Sequence, residues 1–161
     1  MNLNNEEILK KISIILKENN LKIAVAESCS GGLISHNFTN ISGSSEYFDR
    51  GIVSYSNNAK LELLDISENI LERYGAVSEQ VAIAMAKGIR KKSNVDIGIA
   101  TTGIAGPTGG TEEKPVGLVY IAISTTNNTI VKKYQFPGDR LENKESTCRA
   151  ALEMLLESIS R

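Results

Sequence analysis

Segments with helical and strand-like apolar spacing alternate along most of this chain, and a β-hairpin follows. That order predicts an α/β fold: a single layered domain over residues 1–161, with a mixed β-sheet flanked by helices. Three observations carry the prediction. Ile8, Ile12, Ile15 and Leu16 repeat at helical spacing, residues 22–26 form a short β-branched apolar run, and apolar stretches at 118–124 and 129–136 flank Asn127-Asn128.

The first helix is expected over residues 5–19, with Glu6 and Glu7 in its first turn. Strand one follows at 22–26, and a helix at about 30–40 begins near Ser30. Ile41-Ser-Gly-Ser-Ser45 reads as a loop, 49–54 as strand two, and Tyr55-Ser-Asn-Asn58 leads into a short helix containing Lys60. Ser67 starts another short helix, closed by Gly75 as an expected left-handed cap. Ser78 is the expected N-cap of a helix reaching about residue 92; Val81 stands where a capping box needs Glu or Gln. Residues 96–102 read as a buried strand that ends in Gly103-Ile-Ala-Gly-Pro-Thr-Gly-Gly110, a glycine-rich loop continuing to Gly117. Asn127-Asn128 tolerates positive φ and reads as the hairpin turn. Pro137-Gly-Asp-Arg140 is a loop, and a last helix spans about 142–159.

Bulk properties exclude several functions. Apolar residues make up 41% and charged residues 23% of the 161, an ordinary balance for a globular protein. A net charge of −1 offers no electrostatic case for nucleic acid or an anionic membrane. The densest basic run, Arg90-Lys-Lys92, sits at an expected helix end, where cations suit the dipole. Cys29 and Cys148 are too few for a disulfide framework and fit a reducing cytosol. The first residues are polar and acidic, which predicts neither signal peptide nor span, and a cytoplasmic location.

In open α/β sheets ligands sit beyond the carboxyl ends of strands, and here those ends carry Ser28, Tyr55 and the loop after Thr102. The stretch Ala26-Glu-Ser-Cys-Ser-Gly-Gly32 places small hydroxyl residues where a strand opens into a helix, a place that can present a nucleophile beside free backbone N–H groups. Ser28 has two readings, helix N-cap and nucleophile, with Ser30 a second choice for the cap. A nucleophile needs a proton acceptor. The lone histidine, His36, has no orienting acid at an obvious position and reads as an ordinary helix residue, and no Gly-x-Ser-x-Gly elbow exists. Lys60, five residues after Tyr55, can turn back toward the strand ends, and a lysine withheld from water serves as a base. Cys29 reads as a small packed hydrophobe. The Gly103 loop matches neither a Walker loop nor Gly-x-Gly-x-x-Gly, so close approach to a phosphate and a plain turn-rich connection both remain open. Arg140 either binds phosphate through its planar fork or pairs with Asp139 or Glu142. One histidine and scattered carboxylates give no metal-ligand spacing.

These residues resemble the CinA C-terminal domain family, including stand-alone nicotinamide-nucleotide amidases. Matching stretches are Ala26-Glu-Ser-Cys-Ser-Gly-Gly32, Gly43-Ser-Ser-Glu-Tyr-Phe48, Gly51-Ile-Val-Ser-Tyr-Ser-Asn-Asn-Ala-Lys60, Gly75-Ala-Val-Ser78, Met85-Ala-Lys-Gly88, Thr102-Gly-Ile-Ala-Gly-Pro107, Glu113-Lys-Pro-Val-Gly117 and Pro137-Gly-Asp-Arg140, in order over nearly the whole chain. The resemblance extends only to the C-terminal domain of long CinA proteins, without their nucleotide-pyrophosphatase-like N-terminal domain. It implies an amidohydrolase that converts nicotinamide mononucleotide to nicotinate mononucleotide and ammonia, a step of pyridine-nucleotide salvage. It also implies a Ser–Lys mechanism: Ser28 as nucleophile, Lys60 as general base, Tyr55 as a hydroxyl that positions or relays the proton, and Thr102 and Arg140 as substrate-binding residues.

On that reading, backbone N–H groups near Ser30 and Gly31 hold the oxyanion, about 3–4 kcal/mol per donor in comparable sites. The 5′-phosphate meets Arg140 and the amides of Gly103, Ala105 and Gly106. No cofactor or metal is required. The expected partners are a small-molecule nucleotide and further copies of the chain, as a dimer or higher homo-oligomer, with no nucleic acid and no membrane. Ser30 replaces a threonine common in the family, and Lys144 a second arginine. The rival reading is a non-catalytic nucleotide-binding module acting through partners; a weaker third is a hydrolase of another amide.

Overall fold

A computed structural model describes residues 3–160. The elements, in order, are α1 (Asn5–Glu18), β1 (Ile23–Glu27), α2 (Leu33–Thr39), a 3₁₀ turn (Ser44–Glu46), β2 (Phe48–Val53), α3 (Asn57–Leu64), α4 (Glu68–Tyr74), α5 (Glu79–Ser93), β3 (Ile97–Gly103), β4 (Leu118–Ser124), β5 (Thr129–Gln135) and α6 (Arg140–Ile159). The five strands form one sheet in the order β2-β1-β3-β4-β5. β1 runs parallel to β2 and to β3, whereas β3–β4 and β4–β5 are antiparallel. The expected mixed sheet flanked by helices is present.

Strand periodicity of two sorts residues by size between the faces. Ile23, Val25, Ile97, Ile99, Val119, Ile121 and Ile123 pack with α1, α2 and α6, contributing to a core that holds Ile12, Leu16, Phe38 and Leu152. The small residues Ala24, Ala26, Ala100 and Ala122 face α5 and its Val81, Met85 and Ile89. That helix lies close to the sheet. A Cβ added at Gly98 would sit 2.1 Å from the Ala86 carbonyl oxygen, so only glycine fits there.

α2 covers one face and α5 the other, so the chain leaves β1 toward β2 on one side while β3 returns on the opposite side. Between β1 and β3 this makes a topological switch point, where carboxyl ends diverge and leave a crevice. Ser28 N donates to Thr101 O at 3.1 Å and Ser54 N to Glu27 O at 2.8 Å, which holds the three strand ends in step.

Several boundaries differ from expectation. α2 starts at Leu33, not near Ser30, because Gly31 and Gly32 take φ of 61° and 97° and keep the chain non-helical. Gly75 has positive φ but ψ of 160°, so it ends α4 in an extended rather than a left-handed helical state. Left-handed caps occur at Asp65 and Asn94 instead. Neither Asn127 nor Asn128 is among the positive-φ residues. The hairpin loop spans 125–128, closed by Thr125 N to Asn128 O at 2.7 Å and by Asn128 N to the Thr125 hydroxyl at 3.1 Å. Arg140 is not in a loop: Asp139 and Glu142 form a capping box, so Arg140 is the first residue of α6.

Candidate active site

Ser28 leaves β1 with its backbone still paired to β3, and the chain then turns through residues 29–32. Neither Ser28 nor Ser30 caps α2. Gly32 occupies the cap position and carries no side chain, so the helix amides are received from elsewhere. Glu27, fully buried at the end of β1, accepts from Gly32 N and Ile34 N at 3.1 Å, from Ser35 N at 2.8 Å, and from the Ser35 and Ser30 hydroxyls at 2.8 and 2.6 Å. This leaves the Ser28 hydroxyl free of any capping duty.

Lys60 sits in the first turns of α3, which begins where Ser56 caps the amide of Ala59 at 3.0 Å. That start turns the lysine inward, and Lys60 is 1% exposed. Its Nζ lies 3.1 Å from Ser28 Oγ, 2.9 Å from the Ser54 carbonyl and 3.2 Å from the Tyr55 carbonyl. Among the described residues it forms no ion pair with a carboxylate. Burial lowers its pKa below the ordinary lysine value, because the charged form loses hydration with no anion to replace it. A neutral amine suits the three contacts: two N–H groups point to the carbonyls, and the lone pair is left for the serine proton.

Ser28, Cys29, Tyr55, Lys60, Ala76, Val77, Thr102, Gly103 and Ala105 line a cavity of about 190 Å³. The Cys29 thiol is buried and pushed up to about 12 by loss of solvent, which makes it a poor nucleophile beside Ser28. Thr102 faces the cavity with its hydroxyl donating to Ala76 O at 2.7 Å. Tyr55 is a half-open wall, 59% exposed. Its hydroxyl accepts from Arg140 Nη2 at 3.0 Å, while Arg140 Nη1 donates to Gly106 O at 2.7 Å. Arg140 therefore bridges the rim, tying Tyr55 to the glycine-rich loop, and pairs with neither Asp139 nor Glu142.

The sequence-selected residues thus fall into three groups. Ser28, Lys60, Tyr55, Thr102, Gly103 and Ala105 share the cavity, and Arg140 and Gly106 stand at its edge. Tyr55 does not present its hydroxyl to Ser28 or Lys60; it reaches Lys60 through its backbone carbonyl. Ser30 turns away, its hydroxyl shared between Glu27 and Thr101 Oγ1 at 2.8 Å. The amide of Gly31 is given to Ser28 O at 3.1 Å. Among the described residues the amides of Cys29 and Ser30 are the ones in this turn that no carbonyl, carboxylate or hydroxyl oxygen of the protein accepts.

Sequence reasoning missed Glu27, Ala76, Val77 and Asn143. Asn143 is buried and its amide donates to Ala105 O at 3.0 Å and Gly138 O at 2.9 Å, which holds the loop to α6. A readable signal existed for Glu27: an acid closing an otherwise apolar buried strand needs donors, and a helix start follows. Among the described residues no group of three or more His, Cys, Asp or Glu could hold a metal. No helix among the described residues is long and apolar enough to cross a membrane.

Known proteins resemble this chain in sequence and in fold. The family model for the CinA C-terminal domain matches residues 5–159. A putative competence-damage inducible protein of Caldicellulosiruptor saccharolyticus is 49% identical over 157 residues, covering 98% of this chain and 38% of the relative. A CinA-like protein of Syntrophus aciditrophicus is 53% identical over 145 residues, covering 89% of this chain and 34% of its own. The chain therefore spans little more than a third of the length of these curated relatives. The crystal structure of a competence/damage inducible protein from Agrobacterium tumefaciens superposes with a TM-score of 0.94 at 40% identity over all of both chains. With sequence, fold and the family model agreeing over nearly its full length, the chain belongs to the CinA C-terminal domain family.

Proposed function

We propose that this chain is a hydrolase of a carboxamide C–N bond, a nicotinamide-nucleotide amidase working through Ser28 and Lys60. The observation that carries the reading is the 3.1 Å approach of a buried lysine, unpaired with any acid among the described residues, to a serine hydroxyl at a cavity wall. A hydroxyl nucleophile with a depressed-pKa amine as its base is an acyl-transfer pair. The substrate assignment rests on the motif resemblance and on the rim Arg140, two of whose donors are engaged while the rest remain for a phosphate.

In the proposed reaction Ser28 Oγ attacks the carboxamide carbon as its proton passes to Lys60 Nζ. The carbonyl electrons move onto oxygen, and the oxyanion is received by the free amides of Cys29 and Ser30. Collapse breaks the C–N bond, and Lys60 returns its proton to the departing nitrogen, releasing ammonia. Water then attacks the Ser28 ester, giving one proton to Lys60, which passes it to Ser28 Oγ as the C–O bond breaks; the carboxylic acid so formed gives water's second proton to the released ammonia or to solvent and leaves as the carboxylate. The electron-poor pyridinium ring activates the carbonyl without a metal. Tyr55, with its hydroxyl on Arg140, serves here as a wall and rim tie, and Thr102 as a fixed hydroxyl facing the carboxamide.

The test is ammonia release from nicotinamide mononucleotide by the purified chain with a chelator present. The expected result is turnover by the wild type and none by Ser28→Ala. A wild-type chain that binds the nucleotide and releases no ammonia instead supports the binding-module reading.

A further inference from the structure

Glu27 has no part in the proton transfers above, yet it organises the turn that contains them. It is fully buried, forms no ion pair among the described residues, and satisfies its two oxygens with five donors. Three of those donors are amides at the start of α2, the groups that would otherwise present the positive end of a helix to an incoming anion. Their occupation by an internal carboxylate removes that competitor for negative charge.

We infer that Glu27 is a positioning residue: by claiming the Gly32, Ile34 and Ser35 amides and the Ser30 and Ser35 hydroxyls, its carboxylate fixes the 28–32 turn so that Ser28 faces Lys60 and the Cys29 and Ser30 amides are left for the oxyanion. A second consequence concerns where a substrate's own negative charge goes. With the helix start neutralised, an anionic substituent is directed to the Arg140 rim and not to the nucleophile turn. The role in turnover rests on the amidase reading; the geometric role does not.

Glu27→Gln is the probing variant, because a carboxamide replaces one acceptor oxygen with a donor facing donors. Two readouts separate this inference from the amidase reading. One is kcat and KM for nicotinamide mononucleotide; the other is the rate of Ser28 phosphonylation by a small fluorophosphonate, followed by intact mass, which needs no amide substrate. With the fold verified by circular dichroism, the expected results are a kcat lowered ~10²-fold, as for loss of an oxyanion donor, with KM within about threefold. The low-pH limb of the rate profile stays in place, since Lys60 bonds Ser28, Ser54 and Tyr55 and takes no charge partner from Glu27, and phosphonylation slows in step with kcat. Ser35→Ala removes one hydroxyl donor and no amide; it lowers kcat by about three- to tenfold with KM unchanged, and it carries the test alone if Glu27→Gln does not fold. Labelling of Glu27→Gln at the wild-type rate, a shifted pH limb, or wild-type kcat in Ser35→Ala overturns the inference. A wild type that is phosphonylated at Ser28, more slowly in Glu27→Gln, but releases no ammonia removes the amidase reading and leaves the positioning role standing.

Discussion

The two helices that meet beside the cavity, α2 and α6, begin in opposite ways. α6 is capped locally: Asp139 accepts from Glu142 N at 2.9 Å, and the Glu142 carboxylate accepts from Asp139 N at 2.8 Å, all at the surface. α2 has no local cap, and its amides are taken by Glu27 from the preceding strand, in the dark of the core. A local cap makes the residues before a helix servants of that helix. A cap drawn from the strand frees the turn between them, and in this chain the freed residues are Ser28, Cys29 and Ser30. The contrast separates a helix start that is only a helix start from one that, on the proposed reading, carries chemistry.

The sharpest way to break that contrast is at the freed turn itself. Ser28→Ala and Lys60→Met each lower kcat by at least ~10³-fold with the fold intact, as members of a nucleophile–base unit do, and the double variant loses little more than either. Additive losses in the double variant would mean that the two side chains act separately. The same pair predicts a pH dependence. Lys60 must be neutral to accept the serine proton, so kcat/KM rises with pH through its lowered pKa, along a limb below the ordinary lysine range. Stability follows the same sign. Between the folded and ordinary values the unfolded chain holds one more proton than the native one, so native stability rises with pH there. In urea titrations the stability gap between wild type and Lys60→Met, whatever its size at neutral pH, shifts in favour of the wild type as pH climbs toward the ordinary lysine value. A pH-independent gap would show that the buried amine titrates as though in water.

Next in size is Arg140, the first residue of the locally capped helix and the bridge between the two regions. Arg140→Ala removes the ties to Gly106 O and Tyr55 Oη and the fork proposed to receive phosphate. We expect KM for nicotinamide mononucleotide to rise ~10–100-fold, the scale of a charge-assisted hydrogen bond, with kcat changed less than about threefold. The phosphate-free nucleoside should lose far less. Equal losses for nucleotide and nucleoside would reassign Arg140 to holding the loop.

Much of this site was legible in the chain, and what was not has identifiable causes. The small hydroxyl at a strand end and the lysine after the next strand are both local patterns, so Ser28 and Lys60 could be singled out as candidates, although only the family motifs lifted them above their ordinary readings. Thr102 and Arg140 came the same way. Glu27 stayed hidden because its partners are backbone amides up to eight residues ahead. Their convergence depends on positive φ at Gly31 and Gly32, which the residue types permit but do not compel. Ala76 and Val77 reach the cavity only through the packing of the α4–α5 connection, which leaves no periodic signal. The fold class was readable because alternation of elements is a one-dimensional property. The division of large and small residues between faces was also written in Ile23-Ala-Val-Ala26, but its meaning depends on which helix lies over which face. Turn chemistry was the weak point. Asn127-Asn128 invites a two-residue turn, yet the Thr125 hydroxyl captures Asn128 N and closes a longer loop.

The smallest predicted effect is also the one that decides what the comparison means. Asp139→Ala deletes half of the capping box of α6 without touching the cavity. Loss of an N-cap of this type costs about 1 kcal/mol, which urea or thermal unfolding reads directly. Arg140 remains in the first turn, held by Gly106 O and Tyr55 Oη, so kcat and KM should stay within about twofold. The corresponding change at α2, Glu27→Gln, is expected to act on kcat instead. If Asp139→Ala raised KM as strongly as Arg140→Ala, the cap of α6 would be setting the guanidinium's aim. Both helix starts would then belong to the site, and a local cap could no longer be read as a sign that a helix terminus is merely structural.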